Sequence, residues 1–261
     1  WALGKSNNIR PENVISFSSK TIPVLAILRK NLLNNKNTQI SYIGETPKFL
    51  KGRTLKDVYG YKYELNKITT EDDLLDFDGT SIFISNLSKD TNIVLPNTID
   101  FYVNCYTELG SILLVNKSCN EDYIPEIQHV RRRETIAMTP ANCVIVLKSL
   151  LNETSIGSKT HTESKNKRLV TNSILEITGT KTTPIIGSSG LSIQYAIMMG
   201  LIHDALERHP GKDIKIIVPT NCYGGTNDQA RRVARCIANV QVVDLDVDGK
   251  NDMVQSIDRV L

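Results

Sequence analysis

A chain of 261 residues, 40% hydrophobic and 23% charged, has the composition of a folded globular protein with room for one large domain or two ordinary ones. Its formal charge of +3 is too mild to argue for a nucleic-acid partner, and the one basic cluster, Arg131-Arg132-Arg133, runs into Glu134 and reads as a solvated helix entry. No run reaches the ~18 apolar residues of a membrane span, and the start, which lacks a methionine and suggests trimming or processing, has no signal-peptide core.

In chain order, residues 14–17 predict a short strand. Residues 24–33 carry apolar side chains at helical spacing, with Pro23 suited to a first turn. Residues 40–43 alternate like a strand and stop at Gly44. Thr70-Glu71-Asp72-Asp73 starts a short helix by its cap and acidic first turn. Strands follow at 81–85, 93–95, 99–103 and 111–115, close enough together to predict a sheet of mixed sense. Asp72, Asp73, Asp76 and Asp78 lack the glycine-containing spacing of a calcium loop and read as a solvated helix and turn. Neither the four histidines nor the five scattered cysteines show metal-ligand spacing. The cysteines fit reduced thiols, hence a cytoplasmic setting.

Thr139-Pro140 opens a helix that ends near Asn152. Residues 154–168 are polar and predict a linker or loop between a mixed α/β region, 1–153, and a second α/β unit, 169–261. Residues 169–177 predict a short helix closed by Gly179. From Thr183 onward the pattern is strand, Gly-rich turn, helix, strand, helix, strand. That alternation predicts a three-layer, mostly parallel sheet, with ligands held outside the carboxyl ends of its strands.

Two turns in this second unit carry chemistry. In Pro184-Ile185-Ile186-Gly187-Ser188-Ser189-Gly190-Leu191, a short apolar run meets a Gly-Ser-Ser-Gly turn before a helix over 191–208. Ser189 is placed as N-cap, and the free N–H groups of the first turn suit a phosphate. A strand at 214–219 leads into Thr220-Asn221-Cys222-Tyr223-Gly224-Gly225-Thr226 and a helix over 227–238, with Thr226 and Gln229 spaced as a capping box. A last strand spans 240–247, and 251–261 begins a helix.

A Ser-Gly-apolar turn followed, one helix and one strand later, by Tyr-Gly-Gly-Thr resembles the Cys/Met-metabolism family of pyridoxal-phosphate enzymes. That family includes the cystathionine synthases and lyases. The resemblance covers residues 185–261. It implies that Ser189, Gly190 and Leu191 hold the phosphate of pyridoxal 5'-phosphate and that Tyr223 stacks on its ring. It further implies elimination or replacement on a sulfur-containing amino acid, in a homo-oligomer whose sites borrow residues from a neighbouring subunit. The family's cofactor lysine belongs to a region beyond Leu261, so the resemblance makes this chain the amino-terminal part of an enzyme, with little lyase activity alone. Two other readings compete. A non-catalytic regulatory or partner domain would treat both turns as simple helix caps. A nucleotide-binding Rossmann-like domain would use the 187–190 turn for phosphate and Asp244 or Asp246 for ribose, although the turn is not Gly-x-Gly-x-x-Gly.

Overall fold

The computed structural model describes residues 1–86, 96–151, 162–247 and 252–260. Its amino-terminal half runs α1 (Ala2–Ser6), β1 (Val14–Phe17), α2 (Ile22–Leu33), β2 (Thr38–Ile43), α3 (Thr54–Asp57), β3 (Glu64–Ile68), β4 (Thr80–Ser85), β5 (Phe101–Tyr106), β6 (Gly110–Val115), α4 (Ile124–Glu134) and α5 (Pro140–Leu150). The strands form one sheet in the order β1-β6-β5-β4-β2-β3. Only β6 is reversed: it pairs antiparallel with β1 and β5, while β5, β4, β2 and β3 pair in parallel. The carboxyl ends of β1 and β5 therefore face the same way.

Every residue of β4, β5 and β6 is buried, because both faces of the sheet are covered. Alternation along β4 sends Ile82 and Ile84 into one core, with Ile27 and Leu28 of α2 and Ile127 and Val130 of α4. Phe83 goes into a second core, with Tyr102, Met138 and Val146. Thr139 accepts from the Asn142 N–H at 3.3 Å, the expected cap of α5.

Several expectations shift here. The strand placed at 99–103 lies at Phe101–Tyr106, since Ile99 is still in a turn onto Pro96 O. The strand at 93–95 falls outside the described residues. β3 was not expected: Glu64 and Lys67 make an edge strand with little apolar pattern, held by its parallel ladder to β2. The arginine run is the last turn of α4, a helix exit, where cations complement the dipole.

The carboxyl-terminal half runs α6 (Thr162–Thr178), α7 (Gly190–Arg208), β7 (Ile214–Pro219), α8 (Gly224–Ala234), β8 (Val240–Leu245) and α9 (Met253–Asp258). α6 begins at Thr162, so the latter part of the expected linker is helical and residues 154–161 lie outside the description. Residues 184–186 form no strand. They meet no ladder partner among the described residues, and Ile185 is 68% exposed. β7 and β8 pair in parallel from Ile214↔Val240 to Pro219↔Leu245, and the molecule is an α/β protein. Ile214 and Ile216 turn toward Tyr195, Met199 and Ile202 of α7 and Val233 of α8. On the other face Lys215 Nζ donates to Val260 O at 2.8 Å, just past α9.

A buried polar joint fastens α7 to the first half. Arg29 of α2 makes a two-pronged ion pair with Glu134 of α4: Nη1 to Oε1, and Nη2 to Oε2 at 2.9 Å. Nη2 also donates to Tyr195 Oη of α7 at 2.9 Å. The two charged side chains are 3% and 2% exposed. Burial, the largest single influence, lowers the pKa of the Arg29 guanidinium, but the Glu134 carboxylate together with the phenols of Tyr195 and Tyr61 outweighs it and holds it well above its ordinary value. Burial also pushes the Tyr195 phenol well up, so it stays protonated.

Candidate functional site

Helix α7 starts at a reciprocal serine cap. Ser189 is extended (φ −160°, ψ 164°), its Oγ accepts from Ser192 N–H at 3.1 Å, and its own N–H donates to Ser192 Oγ at 2.9 Å. Gly187 is required just before it, because a Cβ there would stand 2.6 Å from Ile193 Cγ1. Beyond the cap, Gly190 and Leu191 are the first two helical residues, and their N–H groups have no carbonyl one turn back to bond. Apart from its chain neighbours and its own helix backbone, no atom of the described residues lies within 4 Å of where a Cβ on Gly190 would be, so the space beside it is free.

Tyr223 is the N-cap residue before helix α8; its side chain makes no capping bond and the residue is 67% exposed. Its ring folds back over the helix: a Cβ on Gly225 would meet Tyr223 Cε1 at 2.5 Å and Arg133 Nη1 at 3.2 Å. The glycine thus makes room for a phenol and a guanidinium at one helix start. The expected capping box of Thr226 and Gln229 does not form, because α8 begins at Gly224 and both side chains are used elsewhere. Thr226 Oγ1 donates to Gln194 Oε1 of α7 at 2.9 Å. Gln229, 1% exposed, donates through Nε2 to Leu191 O and to Arg133 O, each at 3.1 Å.

These bonds set the starts of α7 and α8 side by side, with the end of α4 against them. Ser189, Gly190 and Leu191 lie at one start and Tyr223 at the other; Tyr223 follows the end of β7, whereas the strand expected before Ser189 is absent among the described residues. Three buried polar atoms at the junction have no hydrogen-bond partner among the described residues: Arg133 Nε, Gln194 Nε2 and Gln229 Oε1. Asp228 is shared, 2.6 Å from His129 Nε2 and 3.7 Å from Arg133 Nε. Arg133, His129, Asp228 and the tying role of Gln229 escaped the sequence reading. Only the packing of α4 on α8 brings them to the turn, and no spacing within one segment could signal it.

The donors fit an anion, and the exposed face of Tyr223 fits a planar ring. Pyridoxal phosphate, whose presence the family resemblance implies, would be held at its phosphate by Ser189 Oγ–H and the Gly190 and Leu191 N–H groups. Lys215 is the second residue of β7, at the end of the strand away from Tyr223. Asp244, one candidate for a ribose, is engaged by Arg231 Nη2 at 2.6 Å. Among the described residues no group of three metal-binding side chains gathers, and no helix is long and apolar enough to cross a membrane.

No family model and no curated protein matches the sequence. Solved structures with a similar course of chain include a protein assigned as an L-allo-threonine aldolase from Listeria monocytogenes. It shares 12% identity over 62% of this chain, at a TM-score of 0.35. Another is assigned as an O-acetylhomoserine (thiol)-lyase from Campylobacter jejuni, described with N'-pyridoxyl-lysine-5'-monophosphate, at 14% identity over 65% of this chain and a TM-score of 0.31. The chain spans 58% of the length of each.

Proposed function

We propose that the junction of α7 and α8 is the phosphate-and-ring end of a pyridoxal-phosphate site, in an enzyme that eliminates or replaces groups on sulfur-containing amino acids. The observation that supports it most directly is the pairing of an open, donor-rich helix start at Ser189–Gly190–Leu191 with an exposed phenol ring at the adjoining helix start. When bound, the cofactor supplies an electron sink for bonds at the substrate's α-carbon. The chain's own part is binding. The first-turn N–H groups meet the phosphate's charge, the Ser189 hydroxyl donates while its oxygen keeps the cap, and Arg133 adds a positive charge beside Gly225. Tyr223 offers a face to the ring and shields it from water.

The test is titration with pyridoxal phosphate, followed by the cofactor's absorbance and by melting temperature. Ser189→Asp keeps a good cap but sets a carboxylate against the phosphate, so binding is lost while the fold survives. Tyr223→Phe binds nearly as the parent, whereas Tyr223→Ala loses about 1 kcal/mol of stacking. Unchanged binding in Ser189→Asp would end the reading in favour of a helix cap alone.

A further inference from the structure

The carboxyl ends of β1 and β5 open into a cleft of about 710 Å³, walled on its far side by α6 and the turn that precedes α7. Three charged side chains line it: Lys20 from the β1–α2 loop, Glu108 from the β5–β6 turn, and Lys167 from α6. Hydroxyl and amide groups of Ser18, Ser188 and Asn142 stand among them. No ion pair forms between any of the three charges and another described residue. All three are exposed and hydrated, and they present two positive charges and one negative to the same cleft.

The part of the frame that carries Lys20 and Glu108 is fixed. Ser18 N–H donates to Ile136 O at 3.0 Å, and Ser18 Oγ lies 3.1 Å from Thr135 Oγ1. Ser111 Oγ donates to Ser19 O at 2.6 Å. Ser19 Oγ already accepts from the N–H groups of Thr21 and Ile22, so the start of α2 is capped and Lys20 is left to act through its side chain. Across the cleft, Asn142 Nδ2 donates to Leu109 O at 3.2 Å, which holds the turn bearing Glu108. Gly110 ends that turn at φ +120°, where a Cβ would strike Phe17 O at 2.1 Å; only glycine lets the turn close on β1.

We infer that this cleft binds a small amphoteric ligand with one cationic and two anionic groups, an acidic amino acid, its two carboxylates on Lys20 and Lys167 and its ammonium on Glu108. Ligands collect beyond the carboxyl ends of parallel strands, and a few convergent polar groups set their orientation. The cleft adjoins the turn before α7 through Ser188, but none of its three charged side chains is among the groups assigned to the cofactor, so the inference does not depend on that assignment.

The experiment is calorimetric titration of the whole chain, without pyridoxal phosphate, using L-aspartate, succinate and L-alanine. L-Aspartate should bind more tightly than either control, succinate lacking the ammonium and alanine the second carboxylate. Lys20→Ala and Lys167→Ala should each weaken aspartate and succinate by about fivefold, the effect of one partly exposed charge pair. Lys20→Arg should largely restore binding, and Glu108→Gln should weaken aspartate but leave succinate unchanged. Tyr223→Ala, which disables the proposed cofactor face, should leave aspartate binding as it was, so the two readings fail separately. Equal affinity for all three probes, or affinity indifferent to Lys20 and Glu108, overturns the inference. So does an absence of aspartate binding up to about 10 mM.

Discussion

Replacing Arg29 by Met tests whether the joint between the halves is as closed as its geometry indicates. The change keeps an unbranched, apolar but shorter stem and removes the charge. It strips both carboxylate oxygens of Glu134 of their guanidinium donors in a place 2% exposed, and takes from Tyr195 the donor at 2.9 Å. Removing one partner of such a buried pair costs about 3–5 kcal/mol, because the remaining charge has neither water nor a counter-charge. At about 2–4 °C per kcal/mol for a chain of this size, the melting temperature should fall by about 6–20 °C. Glu134→Met alone should cost a similar amount. The double variant leaves no stranded charge and should recover much of the loss, a coupling of about 2–3 kcal/mol. Urea unfolding followed by circular dichroism, with thermal melts of all four proteins, completes the cycle. A single substitution costing less than about 1 kcal/mol, or a double variant that simply sums the two losses, would show that water reaches the pair and that the joint is open.

Two further outcomes follow from the geometry. Burial pushes the Cys105 thiol up to about 11, against a smaller opposing pull from Lys20, whereas Cys119 is exposed. Iodoacetamide at about pH 8 should therefore label Cys119 well before Cys105, as read by peptide mass mapping; equal rates would contradict the burial of β5. Gly225→Ala adds a methyl where the Tyr223 ring and Arg133 Nη1 now lie, and the ring, being the mobile partner, must move off the helix start. Stability should change by less than about 1 kcal/mol, since alanine suits a helix better than glycine, while pyridoxal-phosphate affinity should fall. Unchanged affinity would show that the ring's place does not matter.

What could be read from the sequence was what local chemistry decides. The cap at Ser189 follows from serine's short hydroxyl, and Pro140 behind Thr139 can only open a helix, so α7 and α5 begin where expected. The apolar run of β7 and its parallel partner β8 were visible for the same reason. Thr226 and Gln229 show where such reasoning stops. Their spacing satisfies a cap, but α8 starts earlier, and each side chain binds a group on another helix. β3 and the residues 184–186 are opposite cases of one rule. A weakly patterned stretch becomes a strand when a neighbour offers a ladder, and an apolar stretch without a neighbour does not. Arg133 belongs to a run that any count of charges assigns to solvent; α8 packed on α4 turns one of its three arginines inward.

The joint of Arg29, Glu134 and Tyr195 also bears on the order in which the chain assembles. Its members are separated by 105 and 166 residues, so the first pair forms within the part synthesised earlier, and the phenol arrives from far along the chain. Until then one side of the guanidinium faces water. When α7 docks, it must offer a hydroxyl at that spot. A slip of one helical turn would present Leu191 or Met199 instead and leave a buried N–H without an acceptor. An apolar contact would accept any of the three residues with little difference in energy. The polar contact accepts only one, and so acts as a register key that admits a single seating of the second half upon the first.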